Sequence, residues 1–230
     1  MFQNLLFDID NTIFNFCHAE QIALDCLFTE MEKQTTYSLE QIKNTYHIQK
    51  KIFQNCAGQT GSSHCKYLQL KTLFDKLSIS LNKLNYFSNY YDEQFKENIV
   101  LYENCREFLE FCKSINVNLY CVSNNTSREQ IERIKHTGLL DLFTTIYTSE
   151  EFGLEKPDSK LYTHVLHLLN GNIHNTAMVG DSFRNDILGS NYTNMYAFWF
   201  HKNNIFSKNH MEFNSYEILL EFFRDYYLLS

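Results

Sequence analysis

Leu5-Leu6-Phe7-Asp8-Ile9-Asp10-Asn11-Thr12 opens with three apolar residues and closes with polar, turn-favouring ones. A short apolar run of this kind predicts a buried strand, and the Asp, Asn and Thr that follow predict its end. Both acids therefore fall at the carboxyl end of a strand, where open α/β sheets place their ligand crevices. A strand-ending turn with two solvated acids would use the same residue types for local reasons, because turns are rich in Asp and Asn. The remainder of the chain decides between them.

Beyond Thr12 the apolar spacing turns helical from about residue 17 to about residue 98, with no strand pattern between. Ile22, Leu24, Leu27, Phe28 and Met31 recur at helical spacing, and Ser38 with Gln41 predicts a capping-box start for a second helix carrying Leu39, Ile42, Tyr46 and Phe53. The Gly- and Ser-rich stretch 58–63 predicts a loop. A third helix follows with Leu68, Leu70, Leu73 and Phe74, and a fourth runs from about residue 81 through Leu84, Phe87, Tyr91 and Phe95.

From Tyr102 onward helices alternate with short strands, the pattern of βαβ units and a mostly parallel sheet. Helices are predicted over 106–114, from Thr126, over 158–169 and over 216–227, with strands over 117–122, 145–148, 176–179 and 196–200. Thr126 with Glu129 predicts another capping box, and Gly138 the end of that helix. The fold class is thus α/β: a Rossmann-like, mostly parallel sheet built from 1–15 and 99–230, interrupted by an all-helical insertion at 16–98.

A chain of 230 residues, 44% hydrophobic, is long enough to bury a sizeable core. Its net charge of −7 argues against nucleic-acid polymers and anionic membrane surfaces as partners, although a local basic pocket for a phosphate remains compatible with it. The seven cysteines contain no Cys-x-x-Cys pair and lie mostly among apolar neighbours, as reduced core residues would. With no charged and apolar signal segment and no long apolar run, a reducing cytoplasm is the expected location. The histidines show no metal-ligand spacing, the aromatic residues read as packing, and the chemistry assigns no role to Arg184.

Three predicted strand ends deliver polar clusters, Asp8/Asp10, Ser123/Asn124 and Asp181/Asp186, and Lys156 precedes Pro157, the only proline in the chain. Parallel strands bring such ends to one sheet edge. In this order, Asp-x-Asp-x-Thr at 8–12, Ser123-Asn124, Lys156-Pro157 and Gly180-Asp181-Ser182-Phe183-Arg184-Asn185-Asp186 resemble the four motifs of the haloacid dehalogenase superfamily of phosphohydrolases, in its members with a helical cap after the first strand. Each motif alone is weak; the ordered set spans most of the chain. The helical insertion and the segment 149–157 resemble the branch that contains YjjG-type pyrimidine 5′-nucleotidases.

The resemblance implies Asp8 as a nucleophile that forms an aspartyl-phosphate, dividing a hard hydrolysis into two easier steps. Asp10 then serves as acid and base. It implies Mg²⁺ held by the carboxylates of Asp8 and Asp181 and the backbone carbonyl of Asp10, with Asp186 acting through water or by orienting its neighbours. Ser123 and the amide of Asn124 would donate to phosphate oxygens ahead of a helix start, and Lys156 would add positive charge. Pro157 would hold Lys156 extended and begin the next helix, and Thr12 would steady the turn beside Asp10.

The expected activity is Mg²⁺-dependent hydrolysis of a small phosphorylated metabolite such as a nucleoside monophosphate, with specificity drawn from the helical cap. Phosphoryl transfer within a sugar phosphate keeps the same intermediate and is the nearest alternative. A binding protein that kept the fold and lost turnover is another. Dehalogenation is disfavoured, since displacing a halide would leave Asp10 without a task.

Overall fold

A computed structural model of the chain describes residues 1–58, 60–201 and 209–228. Among the described residues six strands form one sheet: β1 (Asn4–Phe7), β2 (Asn118–Ser123), β3 (Thr145–Thr148), β4 (Thr176–Gly180), β5 (Tyr196–Phe200) and β6 (His210–Phe213). Their order is β3-β2-β1-β4-β5-β6, and every pairing is parallel. Five of these strands match the sequence pattern. The sixth, His-Met-Glu-Phe, lies at the sheet edge and shows too short an alternation to be read from sequence.

β1 is fully buried, since it pairs with β2 on one side and β4 on the other. Its alternation divides the core: Leu5 and Phe7 face one layer with Phe108, Leu109 and Phe223, while Leu6 faces the other with Leu161, Tyr162 and Val165. The first layer is covered by α6 (Cys105–Ser114) and α11 (Tyr216–Leu228), the second by α9 (Ser159–Leu168). Because the chain continues from β1 to opposite sides of the sheet, the carboxyl end of β1 is a topological switch point.

Between the turn after β1 and residue 98 the described elements are all helical, with no strand among them: α1 (Phe16–Gln34), α2 (Leu39–Ala57), α3 (Gly61–His64), α4 (Lys66–Lys76) and, after a single 3₁₀ turn, α5 (Leu84–Glu97). The Ser38–Gln41 capping box is present. The stretch expected as a loop carries the short α3, while Gln59 lies outside the described residues. A Cβ at Gly61 would lie 2.7 Å from the backbone nitrogen of Glu150, so glycine lets α3 press against α8 (Ser149–Phe152). The chain enters and leaves the helical interval side by side: Phe14 bridges Leu101, and the Tyr102 N–H donates to the Ile13 carbonyl at 3.1 Å.

Three local expectations differ from the structure. The helix after β2, α7 (Ser127–His136), has Thr126 as its N-cap without a side-chain cap bond, and the reciprocal half of the box is also missing: the Thr126 N–H donates to Asn125 Oδ1, and Glu129 is engaged elsewhere. Pro157 follows a cis bond and does not begin α9; Asp158 is the N-cap, its carboxylate accepting from the Lys160 N–H. Of the seven cysteines, Cys105, Cys112 and Cys121 are buried, whereas Cys17 and Cys56 are exposed on the helical interval; all seven are free. No described helix is long and apolar enough to cross a membrane. Two very short helical segments, a π-helix over Phe183–Leu188 and α10 (Gly189–Asn191), connect β4 to β5.

Candidate active site

The backbone carries Asp8 one residue past β1, where its N–H donates to the Val179 carbonyl of β4 at 2.8 Å. The following turn is tight: the Thr12 and Ile13 N–H groups both donate to the Ile9 carbonyl, and Asn11 adopts φ 64°, a left-handed conformation that Asn tolerates. This turn aims Asp8 into the sheet edge and brings Thr12 beside it. The Thr12 hydroxyl lies 3.1 Å from Asp8 Oδ2 and 3.4 Å from Asp181 Oδ1, and accepts from the Asp181 N–H at 3.0 Å. Thr12 therefore ties the ends of β1 and β4 together as well as steadying its own turn.

Lys156 reaches the same point from the loop before α9. Its Nζ donates to Asp8 Oδ1 at 2.5 Å and to Asp186 Oδ1 at 2.7 Å, and its side chain is almost wholly buried. Asn124 holds this lysine in place by accepting from the Lys156 N–H at 2.7 Å and donating to the Lys156 carbonyl at 2.8 Å. The Asn124 side chain is thus committed to Lys156, and its backbone amide is the part of it left to meet a phosphate. Asp186, fully buried in the π-helix after β4, accepts from the Ser182 N–H at 3.0 Å. Gly180 makes room for it, since a Cβ there would stand 2.4 Å from the Asp186 carboxyl carbon.

Asp8, Asp181 and Asp186 each bring a carboxylate oxygen within 4.8 Å of the others. Three acids against the single ammonium of Lys156 leave a negative surplus. Burial, opposed by Lys156 and reinforced by Asp186 and Asp181, raises the Asp8 pKa well above the usual carboxylate range. Burial and Asp186 raise that of Asp181 to about 6. Burial disfavours the Lys156 ammonium, but Asp186 and Asp8 outweigh it and raise its pKa. An all-oxygen donor set with surplus negative charge suits a hard divalent cation such as Mg²⁺. The carboxylate cluster thus contains Asp186 beside the two acids expected as ligands.

Asp10 points elsewhere. Both of its oxygens accept from Arg133 Nη1 at 3.1 Å, and Oδ2 accepts from Gln130 Nε2 at 2.8 Å. The same Gln130 nitrogen donates to Ser123 Oγ at 2.8 Å, so one residue of α7 links the ends of β1 and β2. Arg133 is itself fixed between the rings of Phe16 and Phe95, with its Cζ 5.1 and 4.6 Å from their centres, and donates to Glu129 Oε2 at 3.1 Å. Glu129 Oε1 accepts from the Lys66 N–H at 2.9 Å at the start of α4.

The structure therefore brings together every residue expected at the site: Asp8, Asp10, Thr12, Ser123, Asn124, Lys156, Asp181 and Asp186 line or brace one edge of the sheet. Sequence reasoning missed Gln130 and Arg133. Their spacing of three on a helix just after Ser123-Asn124 is a usable signal, because it puts both on one face. It also missed Glu20, Lys50 and Lys66, which line the same cavity of about 310 Å³ from the helical side. No spacing pattern marks those three.

The chain is 27% identical over 190 residues to the ribulose-1,5-bisphosphate 5-phosphatase of Halopiger xanaduensis, covering 81% of this chain and 80% of that protein. It is 24% identical to the pyrimidine 5′-nucleotidase PynA of Streptococcus pneumoniae, covering 94% and 93%. In fold it is similar to the HAD-hydrolase YfnB of Bacillus subtilis bound to magnesium, with a TM-score of 0.71 at 21% identity over 96% of this chain and 98% of that one. The family described as haloacid dehalogenase-like hydrolase matches residues 5–200, which run from the second residue of β1 through β5 and include each of the eight expected site residues. With its sheet order, its buried acid cluster and this match in agreement, the chain belongs to the haloacid dehalogenase-like hydrolases.

Proposed function

We propose that this enzyme hydrolyses the phosphomonoester of a small metabolite through a phosphorylated Asp8. The observation that carries the proposal is the buried contact of Asp8 with Lys156 at 2.5 Å, at the carboxyl end of the central strand and beside Asp181 and Asp186. An Asp8 oxygen forms a bond to phosphorus as the ester P–O bond breaks, and the leaving oxygen takes a proton from Asp10. Water then attacks the phosphorus of the acyl phosphate and gives its proton to Asp10. The P–O bond to Asp8 breaks, phosphate leaves, and both carboxyl groups return to their starting forms.

Lys156 offsets charge on the transferred group, and Ser123 with the amide of Asn124 donates to its oxygens. Mg²⁺ would be held by Asp8, Asp181 and the carbonyl of Asp10, with Asp186 bracing Lys156 beside them. When bound, it offsets the repulsion between an anionic nucleophile and an anionic phosphate. Residues 16–98 act as a cap over a core formed by 1–15 and 99–230. The activities named for the relatives, on ribulose-1,5-bisphosphate and on pyrimidine 5′-nucleotides, support a small phosphorylated substrate, nucleoside monophosphates among them. Seven free cysteines support a cytoplasmic location.

The test is phosphate release from an aryl phosphate with and without Mg²⁺. Wild-type enzyme should release phosphate only with the metal, and Asp8→Asn should lose about a thousandfold or more of that release. Undiminished release by Asp8→Asn would overturn Asp8 as the nucleophile, and release unaffected by a chelator would overturn the metal.

A further inference from the structure

The cavity above Asp8 has a second wall, made by the helical interval, whose charge is opposite to that of the first. On this wall Glu20 of α1 meets Lys50 of α2 and Lys66 of α4. Both ammonium groups approach one carboxylate oxygen, Glu20 Oε1: Lys66 Nζ at 2.7 Å and Lys50 Nζ at 3.3 Å. Two cations thus share one anion, and the wall carries a surplus positive charge.

The two lysines are not equivalent. The Lys66 side chain is only 4% exposed; it also donates to the Tyr46 hydroxyl at 2.8 Å and stands 5.5 and 4.9 Å from the ring centres of Tyr46 and Tyr91. Its surroundings satisfy it. Lys50 has Glu20 as its hydrogen-bond partner, lies 6.0 Å from the centre of the Tyr46 ring, and keeps 27% of its side chain exposed. Burial and the nearby Lys66 disfavour the Lys50 ammonium, and Glu20 restores only part of what they remove. An anion entering the cavity would complete the pairing that Glu20 divides between two lysines. Gln54 lines the same wall without cancelling its charge, and Gln69 beside it is committed to the Tyr46 hydroxyl and the Ser63 carbonyl.

We infer that Lys50, seated by Glu20 and Lys66, binds a second anionic group on the leaving-group part of the substrate. The inference rests on the phosphatase reading and narrows it to phosphomonoesters that carry a further carboxylate or phosphate. The scissile phosphate sits at Lys156 and the second anion at Lys50. A cavity of about 310 Å³ is at the small end of ligand pockets, so the molecule that spans it is a short one.

Three substrates of similar size test this: glycerol phosphate, whose leaving group is uncharged, phosphoglycerate, which adds a carboxylate, and propanediol bisphosphate, which adds a phosphate. Wild-type enzyme with Mg²⁺ should show kcat/KM about tenfold to a hundredfold higher for at least one acidic substrate than for glycerol phosphate, the range expected of a charge-assisted contact. The preferred acidic substrate identifies the second group. In Lys50→Gln that ratio should fall close to one, and Lys50→Arg should retain most of it. A thermal melt of each variant checks folding, Lys50→Arg assigns the contact to Lys50 if Lys50→Gln does not fold, and a wild-type ratio near one overturns the inference without either variant. Wild-type activity with a ratio near one, or an unchanged ratio in folded Lys50→Gln, would overturn the inference and leave the phosphatase reading standing. No phosphate release by wild type from any of these substrates or from an aryl phosphate would overturn both.

Discussion

The two walls of the cavity are electrostatic opposites. On the strand-end wall Asp8, Asp181 and Asp186 crowd around one lysine, whereas on the helical wall Lys50 and Lys66 crowd around Glu20. The consequences for stability have opposite signs. A carboxyl such as Asp181, raised to about 6 by burial and its neighbour Asp186, favours folding less as pH rises from its unfolded value through 6. Burial opposes ionisation of Glu20, but Lys66 and Lys50 outweigh it and bring its pKa down to about 2, so Glu20 stabilises the fold above its unfolded pKa and loses that contribution on acidification. Repulsion concentrated where chemistry is proposed, beside a wall whose own ion pairs are favourable, is the pattern expected when a functional site is held in place by the rest of the fold.

Substitutions can break this contrast, and the largest effect is expected at Asp8. Asp8→Asn should lower phosphate release by about a thousandfold or more while the fold persists, measured by kcat together with circular dichroism. Lys156→Met comes next. It leaves Asp8 and Asp186 buried without their shared cation, so denaturant unfolding without added metal should show a loss of about 3–5 kcal/mol, and a variant as stable as wild type would contradict the ion-pair account.

Arg133→Leu removes the donor that bridges both Asp10 oxygens and the partner of Glu129 while keeping an apolar side chain between Phe16 and Phe95. Its kcat should fall about tenfold to a hundredfold, and an unchanged kcat would show that Asp10 needs no anchoring from α7. The smallest effect concerns Glu20. Unfolding free energy should decline by about 2 kcal/mol as pH drops from above 4.5 toward 2, and Glu20→Gln should flatten that part of the profile. An identical acid limb in the variant would remove Glu20 from the account.

The two walls also differ in how far they could be read beforehand. Asp8, Asp10, Ser123, Asn124 and Asp181 each end or follow a strand, where a short apolar run followed by polar residues is visible in one dimension. Lys156 precedes the only proline, which also marks it, even though Asp158 and not Pro157 caps the helix. Thr126 with Glu129 had the spacing of a capping box, yet Glu129 bonds instead to Arg133 and to the backbone of Lys66, a tertiary competition that local spacing does not reveal. Glu20, Lys50 and Lys66 come from three helices at intervals with no periodic meaning. β6 eluded the pattern because four residues at a sheet edge carry too little alternation.

By itself, then, the sequence determined the alternation of strands and helices, the helical interval after the first strand, and the polar residues at the strand ends, because these depend on local conformation and on which face of an element is apolar. Tertiary structure alone decided that Asn124 clamps Lys156, that Asp10 turns toward Arg133, and that two lysines share Glu20. Those contacts join residues up to 123 positions apart, and they exist only once packing has removed water and left each charge to find its partner within the fold.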